Sequence, residues 1–402
     1  MSELDTEKHR KILMKVLVIS HSAIQPTYHR KFEEVARHTD VQLRVLVPDI
    51  WVENDQTLHF SGRDVDQNLS FYPGKVKFPG YGSRFFFKEG IIRHFQEFRP
   101  DIIHLEEEPW SLCALQTIIL RRLHCPVSKL IFRTSLSIPA KMKLSLLTTL
   151  IERITFKECD YAFILSRRAG EILIQKGYRK GMRVSPNGVD TQIFRKMDVS
   201  DLRRSLGIGK NEFVIGYVGR LMQMKGLDTL LKAFSIVHKD DACAVPIRLL
   251  IVGSGDYRDK MLSIASRLGI SEKMILVDAV PAADVPRYIN CMDTLVLPSI
   301  TTPGWVEFFG RVLVEAMVCN VPVIGSSSGE IPNVIDDAGL VFQEGNAEEL
   351  RDRLTLLIRD HDLRQSLTKK GFERATSLFT WESIAQDTYE TYSSIYKRNK
   401  CK

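Results

Sequence analysis

Two carboxylates lie eight positions apart in an otherwise apolar stretch, at Glu307 and Glu315 of "PGWVEFFGRVLVEAMVCNVPVIG" (303–325). On one continuous helix, eight residues would separate the two side chains by about 80° around the axis, so they would not share one face. We therefore expect Glu307 in a loop and Glu315 on the helix that follows, with both carboxylates directed at one ligand. The alternative is a pair of unrelated, exposed charges on an amphipathic helix.

A helix that begins near Gly310 would complete a binding site for a phosphorylated sugar. The amides of Gly310, Arg311 and Val312 would lie at the carboxyl edge of a sheet, where N–H groups and the helix dipole bind a phosphate oxygen. Glu307 would accept hydrogen bonds from sugar hydroxyls, and Glu315 would accept both hydroxyls of a ribose. A ribose, a diphosphate and a sugar together describe a nucleotide sugar, which is the ligand that this arrangement favours.

Glycine ends two of the short apolar runs, as in α/β proteins that bind phosphate. Gly219 ends one run in "GYVGRLMQMKG" (216–226), and Gly253 ends another in "IVGSGD". Glycine lets the backbone turn and approach a ligand closely. Arg220 and Lys225 would neutralise a pyrophosphate, the first as a planar fork and the second as a point charge. A turn between strand and helix with two solvated basic residues explains the same pattern.

Two other nucleotide-binding motifs are excluded at the level of the sequence. A dinucleotide fingerprint on "GSG" would need a third glycine at position 258, where the chain has Arg258. The pattern G-x-x-x-x-G-K-[ST] of a P-loop does not occur. The phosphate contacts expected here therefore depend on cationic side chains and a helix end.

Length and composition indicate two globular domains in a reducing compartment. The chain has 402 residues, of which 44% are hydrophobic and 26% charged, which fits two domains of about 200 residues each. The N-terminus is polar and its first apolar run is short and β-branched, which indicates a first strand and not a signal peptide. The seven cysteines are odd in number and form no C-x-x-C pair, which favours a reduced, cytoplasmic protein.

The net positive charge of the chain comes entirely from its first half. Residues 1–190 carry 29 Lys and Arg against 22 Asp and Glu, a net charge of +7, whereas residues 191–402 carry 27 of each. Such a half would suit an anionic partner, namely a phosphorylated acceptor, a membrane surface or nucleic acid, and of these we favour the first two. A mildly basic solvated surface is the alternative.

One segment of this half has the pattern of a basic amphipathic helix. In "KMKLSLLTTLIERITFKE" (141–158), apolar residues recur at helical spacing among basic ones. Such helices lie on anionic lipid, which would place the protein peripherally on the inner face of the membrane. The core face of an ordinary helix is the alternative. The apolar residues are Leu147, Leu150, Ile151 and Ile154, and the basic ones are Lys141, Lys143, Arg153 and Lys157.

Strands and helices alternate through both halves, which predicts two doubly wound α/β domains. Most of the apolar runs are continuous, as in parallel strands buried on both faces. The boundary is expected in "PNGVDTQIF", between residues 190 and 191, and the segment 55–90 is expected to be a long irregular insertion. The predicted strands are 15–20, 41–48, 101–106, 129–135, 161–166 and 182–186 in the first half, and 213–219, 247–253, 274–279, 294–299, 321–326 and 339–342 in the second.

The segment "VEFFGRVLVEAMVCNVPVIGSSSGEIP" resembles the E-x7-E region of the retaining family-four glycosyltransferases, which have the GT-B fold. The resemblance extends to "GYVGRLMQMKGLDTLLKAF", "LLIVGSGDYRDKM" and "VSPNGVDTQIF", and so covers nearly all of 182–350. In the first half, "FRPDIIHLEEEPW" and "KVLVISHS" are weaker matches. The family implies two Rossmann-like domains that face a cleft.

The resemblance implies a role for each part of the chain. Residues 1–190 would bind the acceptor, 191–380 the nucleotide sugar, and 381–402 would form a helix that packs back on the N-terminal domain. The base would lie near Val280 in "VDAVPAADV" and be contacted largely by backbone. The implied activity is retaining transfer of a sugar from a UDP- or GDP-sugar to a glycan, lipid-linked or small-molecule acceptor, in polysaccharide or glycoconjugate biosynthesis, without metal or cofactor.

The same resemblance assigns the catalytic and donor-binding residues. Arg220 and Lys225 would hold the diphosphate, and no nucleophilic carboxylate pair is visible. Same-face attack assisted by the leaving phosphate is therefore favoured over a covalent intermediate. The catalytic set is Arg220, Lys225 and Glu307, and the donor-binding set is Glu315, Gly310, Arg311, Val312, Gly219, Gly253 and Val280.

The acceptor side departs from the family pattern in two places. Many relatives have a glycine pair in the first loop between strand and helix, and "SHSAIQPTYHR" has none. Many also have a histidine at the end of the fourth strand, where Arg133 is aligned here. Glu106 or Glu107 would contact the acceptor, and His104 is either an acceptor-side residue or a core histidine.

Two other classes remain open from the sequence alone. A nucleotide-sugar epimerase or another GT-B enzyme such as a phosphorylase would use the same scaffold, although no pyridoxal-binding lysine stands out. A non-catalytic nucleotide-sugar-binding protein would retain the same binding site, but retention of Arg220, Lys225, Glu307 and Glu315 together argues against it. Nucleotide release from a donor separates a transferase from a silent binding protein.

Overall fold

Strands and helices alternate in two separate α/β units of the chain. The computed structural model describes residues 13–53, 56–136, 145–240 and 245–400. The first unit ends at Pro186 and resumes at Trp381, and the second unit is Asn187–Thr380. The structure thus divides the chain between residues 186 and 187, four residues before the predicted boundary between 190 and 191.

The first unit is built on a sheet of eight strands among the described residues. Its order is β12-β11-β10-β9-β1-β2-β6-β5, and all neighbours are parallel except the antiparallel pair β5 and β6. Two short antiparallel hairpins, β3 with β4 and β7 with β8, lie outside it. The strands are β1 (Met14–Ile19), β2 (Val41–Pro48), β3 (Ile50–Glu53), β4 (Gln56–His59), β5 (Arg63–Asp66), β6 (Leu69–Gly74), β7 (Val76–Lys77), β8 (Phe86–Phe87), β9 (Ile102–Leu105), β10 (Lys129–Thr134), β11 (Tyr161–Ile164) and β12 (Gly181–Val184).

Serine side chains begin three helices of this unit. Ser111, Ser145 and Ser166 each accept a hydrogen bond from a backbone N–H in the first helical turn, which satisfies a donor that the helix itself leaves unpaired. The helices are α1 (His29–Ala36), α2 (Ile91–Arg93), α3 (Leu112–His124), α4 (Leu146–Glu158), α5 (Arg167–Gln175) and, from the end of the chain, α14 (Trp381–Lys400), with a wider helical turn at His94–Phe98.

The expectation of an irregular insertion over residues 55–90 is wrong for the described part of that segment. It contributes β6, which pairs in parallel with β2 inside the main sheet. Leu69 and Phe71 of β6 are buried, whereas Ser70 and Tyr72 are partly exposed. This alternation is typical of a strand near the edge of a sheet, so a search for continuous apolar runs does not detect it.

The second unit is a parallel α/β sheet. Its strand order is β15-β14-β13-β16-β17-β18. The chain therefore reverses direction across the sheet between β13 and β16, and ligands of open α/β sheets bind at such a switch point. The strands are β13 (Phe213–Val218), β14 (Ile247–Val252), β15 (Met274–Val277), β16 (Thr294–Leu297), β17 (Val323–Ser326) and β18 (Leu340–Phe342), and the helices are α6 (Ser200–Ser205), α7 (Leu227–Lys239), α8 (Arg258–Leu268), α9 (Val285–Asn290), α10 (Arg311–Val318), α11 (Ile331–Ile335), α12 (Ala347–Arg359) and α13 (His361–Leu378).

Helix α14 completes the core of the first unit. Tyr392 is buried, and its hydroxyl lies 2.6 Å from Nδ1 of His104 on β9. Tyr389 donates a hydrogen bond to Asp40, and its ring stacks on His38 at a centroid distance of 3.6 Å. The last helix of the chain thus supplies aromatic side chains to a core formed by the first 186 residues.

The basic segment at 141–158 forms helix α4 from Leu146 onward, and Lys141 and Lys143 lie outside the described residues. Leu147 and Leu150 are exposed, whereas Ile151 packs in the interior. The apolar stripe is therefore divided between the interior and the surface. Among the described residues, the helices are all too short or too polar to cross a bilayer.

A buried histidine gives the first unit a predictable response to acid. His94 is fully buried, and neither ring nitrogen has a hydrogen-bond partner among the described residues. Burial, with Arg93 and Arg44 nearby, lowers its pKa to about 4. Between pH 6.5 and 4 the unfolded chain binds a proton that the folded chain does not, so stability must fall as the pH falls through this window.

We expect His94→Phe to remove part of this loss. The free energy of unfolding in urea should decline less between pH 6.5 and 4.5 than in the unaltered chain, by about 1.4 kcal/mol per pH unit at most. The exposed His59 provides the control, since His59→Gln removes an imidazole that is not buried. Equal pH slopes for His94→Phe and the unaltered chain would show that His94 is not the group responsible.

Candidate functional site

The second unit has a pocket at the carboxyl edge of its sheet, which we call the carboxyl-edge pocket. Its volume is about 590 Å³, within the range of small-molecule sites. It lies over the ends of β13 and β16 and the start of α10. Eight of the residues singled out in the sequence line it, namely Gly219, Arg220, Lys225, Glu307, Gly310, Arg311, Val312 and Glu315.

The two remaining residues predicted to bind the donor line a smaller neighbouring cavity of about 240 Å³. Gly253 follows β14, and Val280 lies in the loop after β15. This cavity shares Gly219 and Arg220 with the carboxyl-edge pocket. A ligand that filled both cavities would pass along the ends of the strands beside Arg220.

Helix α10 begins at Arg311, close to the predicted start. Gly310 precedes it with φ of 78°, a left-handed conformation that glycine adopts without strain. No side chain caps this end of the helix among the described residues. The N-terminal end of α10 therefore faces the pocket with its dipole uncompensated by a capping group, which favours an anion there.

Glu307 and Lys225 form a partly buried ion pair beside the pocket. Lys225 Nζ donates to Glu307 Oε2 at 2.7 Å, and Ser299 Oγ donates to the same oxygen at 2.7 Å. Lys225 also lies 4.8 Å from the centre of the Trp305 ring. Since both hydrogen bonds go to Oε2, Glu307 Oε1 is the oxygen suited to a ligand hydroxyl.

Glu315 is held at the pocket wall by its own helix. Arg311 Nε donates to Glu315 Oε1 at 2.7 Å, one helical turn away. Glu307 and Glu315 are only 8% and 7% exposed. The interpretation of these acids as exposed charges on an amphipathic helix is therefore wrong, and Glu315 interrupts an apolar stretch because it lines a cavity.

Close backbone contacts explain two of the glycines near the pocket. A Cβ on Gly253 would lie 2.0 Å from the carbonyl oxygen of Gly219, so the loops after β13 and β14 touch at this point. A Cβ on Gly226 would lie 1.9 Å from the carbonyl oxygen of Pro298. Gly253 is thus required by packing between loops, whatever contact it also makes with a ligand.

The acceptor-side residues lie in the first unit, and each is bound by another group of that unit. His104 is fully buried and bonded to Tyr392, which supports the core interpretation. Glu106 accepts from Lys31 at 2.5 Å; burial opposes its ionisation, but Lys31 outweighs burial and lowers its pKa to about 2. Arg133 Nη2 donates to the carbonyl oxygen of Ser185 at 3.4 Å.

Two of the residues that sequence reasoning missed contact the predicted charged groups directly. Ser299 holds Glu307, and Trp305 lies beside Lys225. Ser299 ends the predicted strand "TLVLPS", so its place at the carboxyl end of a strand was a usable signal. Nothing in the local pattern indicates the contact of Trp305, because Lys225 is 80 residues earlier in the chain.

Comparison with known proteins assigns a family to both parts of the chain. Residues 198–374 match the family model for glycosyl transferases group 1, and residues 42–193 match the model for glycosyltransferase family 4. A D-inositol 3-phosphate glycosyltransferase from Segniliparus rotundus is 30% identical over 221 residues, which is 53% of this chain and 47% of that protein. A GDP-mannose-dependent alpha-(1-6)-phosphatidylinositol monomannoside mannosyltransferase from Mycobacterium tuberculosis is 30% identical over 207 residues, 50% of this chain and 52% of that protein.

The fold is shared with solved glycosyltransferase structures. The structure of HepE from Anabaena in complex with UDP has a TM-score of 0.71 and covers 95% of this chain and 100% of that chain at 19% identity. The two α/β units therefore define a protein with the GT-B fold, as the sequence predicted. The chain belongs to the family-four glycosyltransferases, which confirms the resemblance carried by its E-x7-E segment. It spans about half the length of the curated relatives that it matches.

Proposed function

We propose that this chain is a retaining glycosyltransferase that moves a sugar from a UDP- or GDP-sugar to an acceptor hydroxyl. One observation carries the proposal: three cationic side chains, two buried carboxylates and a helix N-terminus line one cavity. Names of similar proteins add support, since HepE was solved with UDP and the Mycobacterium tuberculosis relative is described as GDP-mannose-dependent.

In the proposed complex, each group of the pocket has a separate part of the donor to hold. Arg220 and Lys225 neutralise the diphosphate together with the end of α10. Glu315 accepts the ribose hydroxyls, Glu307 Oε1 accepts a hydroxyl of the sugar, and the base lies near Val280. The ion pair with Glu307 keeps Lys225 in place before the donor arrives, so little reorganisation is needed.

The proposed chemistry depends on the charge of the leaving group. Breaking the bond to the sugar adds negative charge to the β-phosphate, which the fixed cations stabilise. The acceptor attacks on the same face, and the leaving phosphate assists. We also propose that side chains and the helix end supply this charge without a metal; an unchanged rate in EDTA supports that, and restoration by added Mg²⁺ contradicts it.

The donor assignment predicts a specific loss of nucleotide-sugar affinity in Glu315→Gln. Hydrogen bonds to a charged group contribute about 1.5 to 3 kcal/mol, so affinity should fall about 10-fold or more. Thermal shift with UDP, GDP, UDP-glucose and GDP-mannose provides the measurement, because a ligand that binds only the folded protein raises the melting temperature. Glu348→Gln, an exposed acid of α12, is the control and should bind as the unaltered chain does.

The outcomes also distinguish the classes left open by the sequence. Acceptor-dependent release of nucleotide supports a transferase, whereas conversion of the donor sugar without release indicates an epimerase. A thermal shift with no turnover indicates a binding protein. No shift with any of the four nucleotides would contradict the proposed function.

We also propose that the protein works in the cytoplasm, in peripheral contact with a membrane. The five cysteines that the structure describes are buried and unpaired, which is consistent with a reducing, cytoplasmic compartment. A peripheral membrane contact is supported by the exposed Leu147 and Leu150 on α4, next to the exposed Arg153 and Lys157. Flotation with anionic liposomes at low and high salt tests this contact, and absence of salt-sensitive binding contradicts it.

A further inference from the structure

A histidine–carboxylate pair lies at the carboxyl edge of the sheet in the first unit. His21 follows β1, and Glu107 follows β9, the parallel neighbour of β1. Ile19 and Leu105 are paired in the register, so both residues emerge at the same edge. Ligands of open α/β sheets bind at this edge, and the pair belongs to a different unit from the carboxyl-edge pocket.

The contacts of Glu107 fix the ring of His21. Nδ1 of His21 lies 2.7 and 2.8 Å from the two carboxylate oxygens, and the backbone N–H of His21 donates to Oε1 at 2.7 Å. The ring also packs on Trp51 at a centroid distance of 4.6 Å. Since Nδ1 donates to Glu107, the tautomer is set, and Nε2 is the nitrogen left for another partner.

Exposure distinguishes His21 from a histidine that only fills the core. The side chain of His21 is 30% exposed, whereas that of Glu107 is 1% exposed and His104 is fully buried. Nε2 has one contact within the described residues, with Ser22 Oγ at 3.5 Å, the limit of a hydrogen bond. Burying a carboxylate is unfavourable, and Glu107 uses both of its oxygens to hold one ring. This indicates that the orientation of the His21 ring is important.

Glu106 and Glu107, the two glutamates that the sequence offers as acceptor contacts, and their neighbour Glu108 are all bound by side chains of their own unit. Lys31 binds Glu106 and His21 binds Glu107. Glu108 accepts hydrogen bonds from Thr134 and Ser135 at the end of β10. The three carboxylates thus make hydrogen bonds within the unit at this edge of the sheet, and His21 is the partly exposed side chain that one of them holds.

We infer that His21 binds a hydroxyl of the acceptor through Nε2 and that Glu107 is its positioning residue. The inference rests on the proposed function, because it assigns a substrate contact to the same reaction. With Nδ1–H directed at Glu107, the lone pair of Nε2 accepts a hydrogen bond from a neutral hydroxyl. The ligand class is therefore a neutral molecule that carries a hydroxyl group.

His21→Asn is a sharp test of this assignment. The amide nitrogen of Asn takes the position of Nδ1 and still donates to Glu107, while the group at Nε2 is lost. The acceptor probes are myo-inositol, D-glucose, D-mannose and octyl glucoside. Each is added to the full chain together with the donor that gives a thermal shift. The rate of nucleotide release is compared with the rate without a probe, when water is the acceptor. We expect KM for the stimulating probe to rise about 10-fold or more, with the donor thermal shift unchanged.

The control and the opposing outcomes separate this inference from the proposed function. His59→Gln, an exposed histidine elsewhere in the unit, should match the unaltered chain. Equal acceptor dependence in His21→Asn and the unaltered chain overturns the inference, and so does absence of stimulation by all four probes when the donor still binds. A missing donor shift is instead a failure of the proposed function.

A second readout tests the positioning role of Glu107. Glu107, with Glu53 and Glu108, outweighs burial and raises the pKa of His21. Binding through the lone pair requires neutral His21, so kcat/KM for the acceptor should rise with pH through that pKa. Glu107→Gln keeps the shape of the side chain but removes its charge, and should shift this rise of kcat/KM to lower pH. If the rise occurs at the same pH in both proteins, Glu107 has only a structural role.

Discussion

Lys225→Ala lowers kcat about 10²-fold or more while the protein remains folded, if Lys225 stabilises the departing diphosphate as proposed. Loss of one fixed electrostatic donor has an effect of this size in enzymes that stabilise developing charge. The substitution also leaves the buried Glu307 without its cation, with Ser299 as the remaining donor to Oε2. Steady-state release of nucleotide at saturating donor is the measurement.

The control for this experiment is another lysine of the same unit. Lys232 lies on α7 and is exposed, so Lys232→Ala should leave kcat within a factor of about two. Arg220→Ala should resemble Lys225→Ala, because Arg220 lines the same pocket. Unchanged turnover in both Arg220→Ala and Lys225→Ala would remove the diphosphate assignment.

Gly226→Ala should cause the largest loss of stability among these variants. Gly226 connects the one-turn helix Gln223–Lys225 to α7 with φ of 69°, and an added Cβ would lie 1.9 Å from the carbonyl oxygen of Pro298. The obstruction is backbone, so the loop must move. We expect a loss of about 3 to 5 kcal/mol in the free energy of unfolding.

Gly207 is a matched control within the same unit. It also has φ of 69°, but a Cβ there would meet nothing within 4 Å. Gly207→Ala therefore isolates the cost of the left-handed conformation, roughly 1 kcal/mol. Urea unfolding of both variants gives the difference, and equal losses would show that the contact with Pro298 does not constrain the loop.

Activity should follow stability in Gly226→Ala. Ile300 N–H donates to the carbonyl oxygen of Met224 at 2.8 Å, so the turn with Lys225 and the loop with Ser299 are tied together. A shift of Gly226 would then displace both donors to Glu307. The glycine is thus part of the support of the site although it has no side chain to contact a ligand.

The sequence contained most of the information about the second unit. Its strands are continuous apolar runs because helices cover both faces, and each run ends where the pocket begins. Glu307, Glu315, Arg220 and Lys225 could be assigned to one pocket because the strand ends of a parallel sheet share an edge. Their mutual contacts could not be predicted, because side-chain pairing across 82 residues depends on the packed loops.

The first unit was harder to predict for a physical reason. Strand β6 alternates between buried and exposed positions near the sheet edge, so it lacks the continuous apolar pattern. The bond between His104 and Tyr392 joins residues 288 positions apart, and no local periodicity indicates it. The pair of His21 and Glu107, separated by 86 residues, is of the same kind.

The return of helix α14 to the first unit has a consequence for biosynthesis. During translation, residues 1–186 leave the ribosome well before Tyr389 and Tyr392 are made, so their core is incomplete at that stage, whereas Asn187–Thr380 is one continuous stretch of chain. The first unit is thus the first to be synthesised and the last to complete its core. A nascent chain stalled before residue 381 would leave Asp40 and His104 without their tyrosine partners.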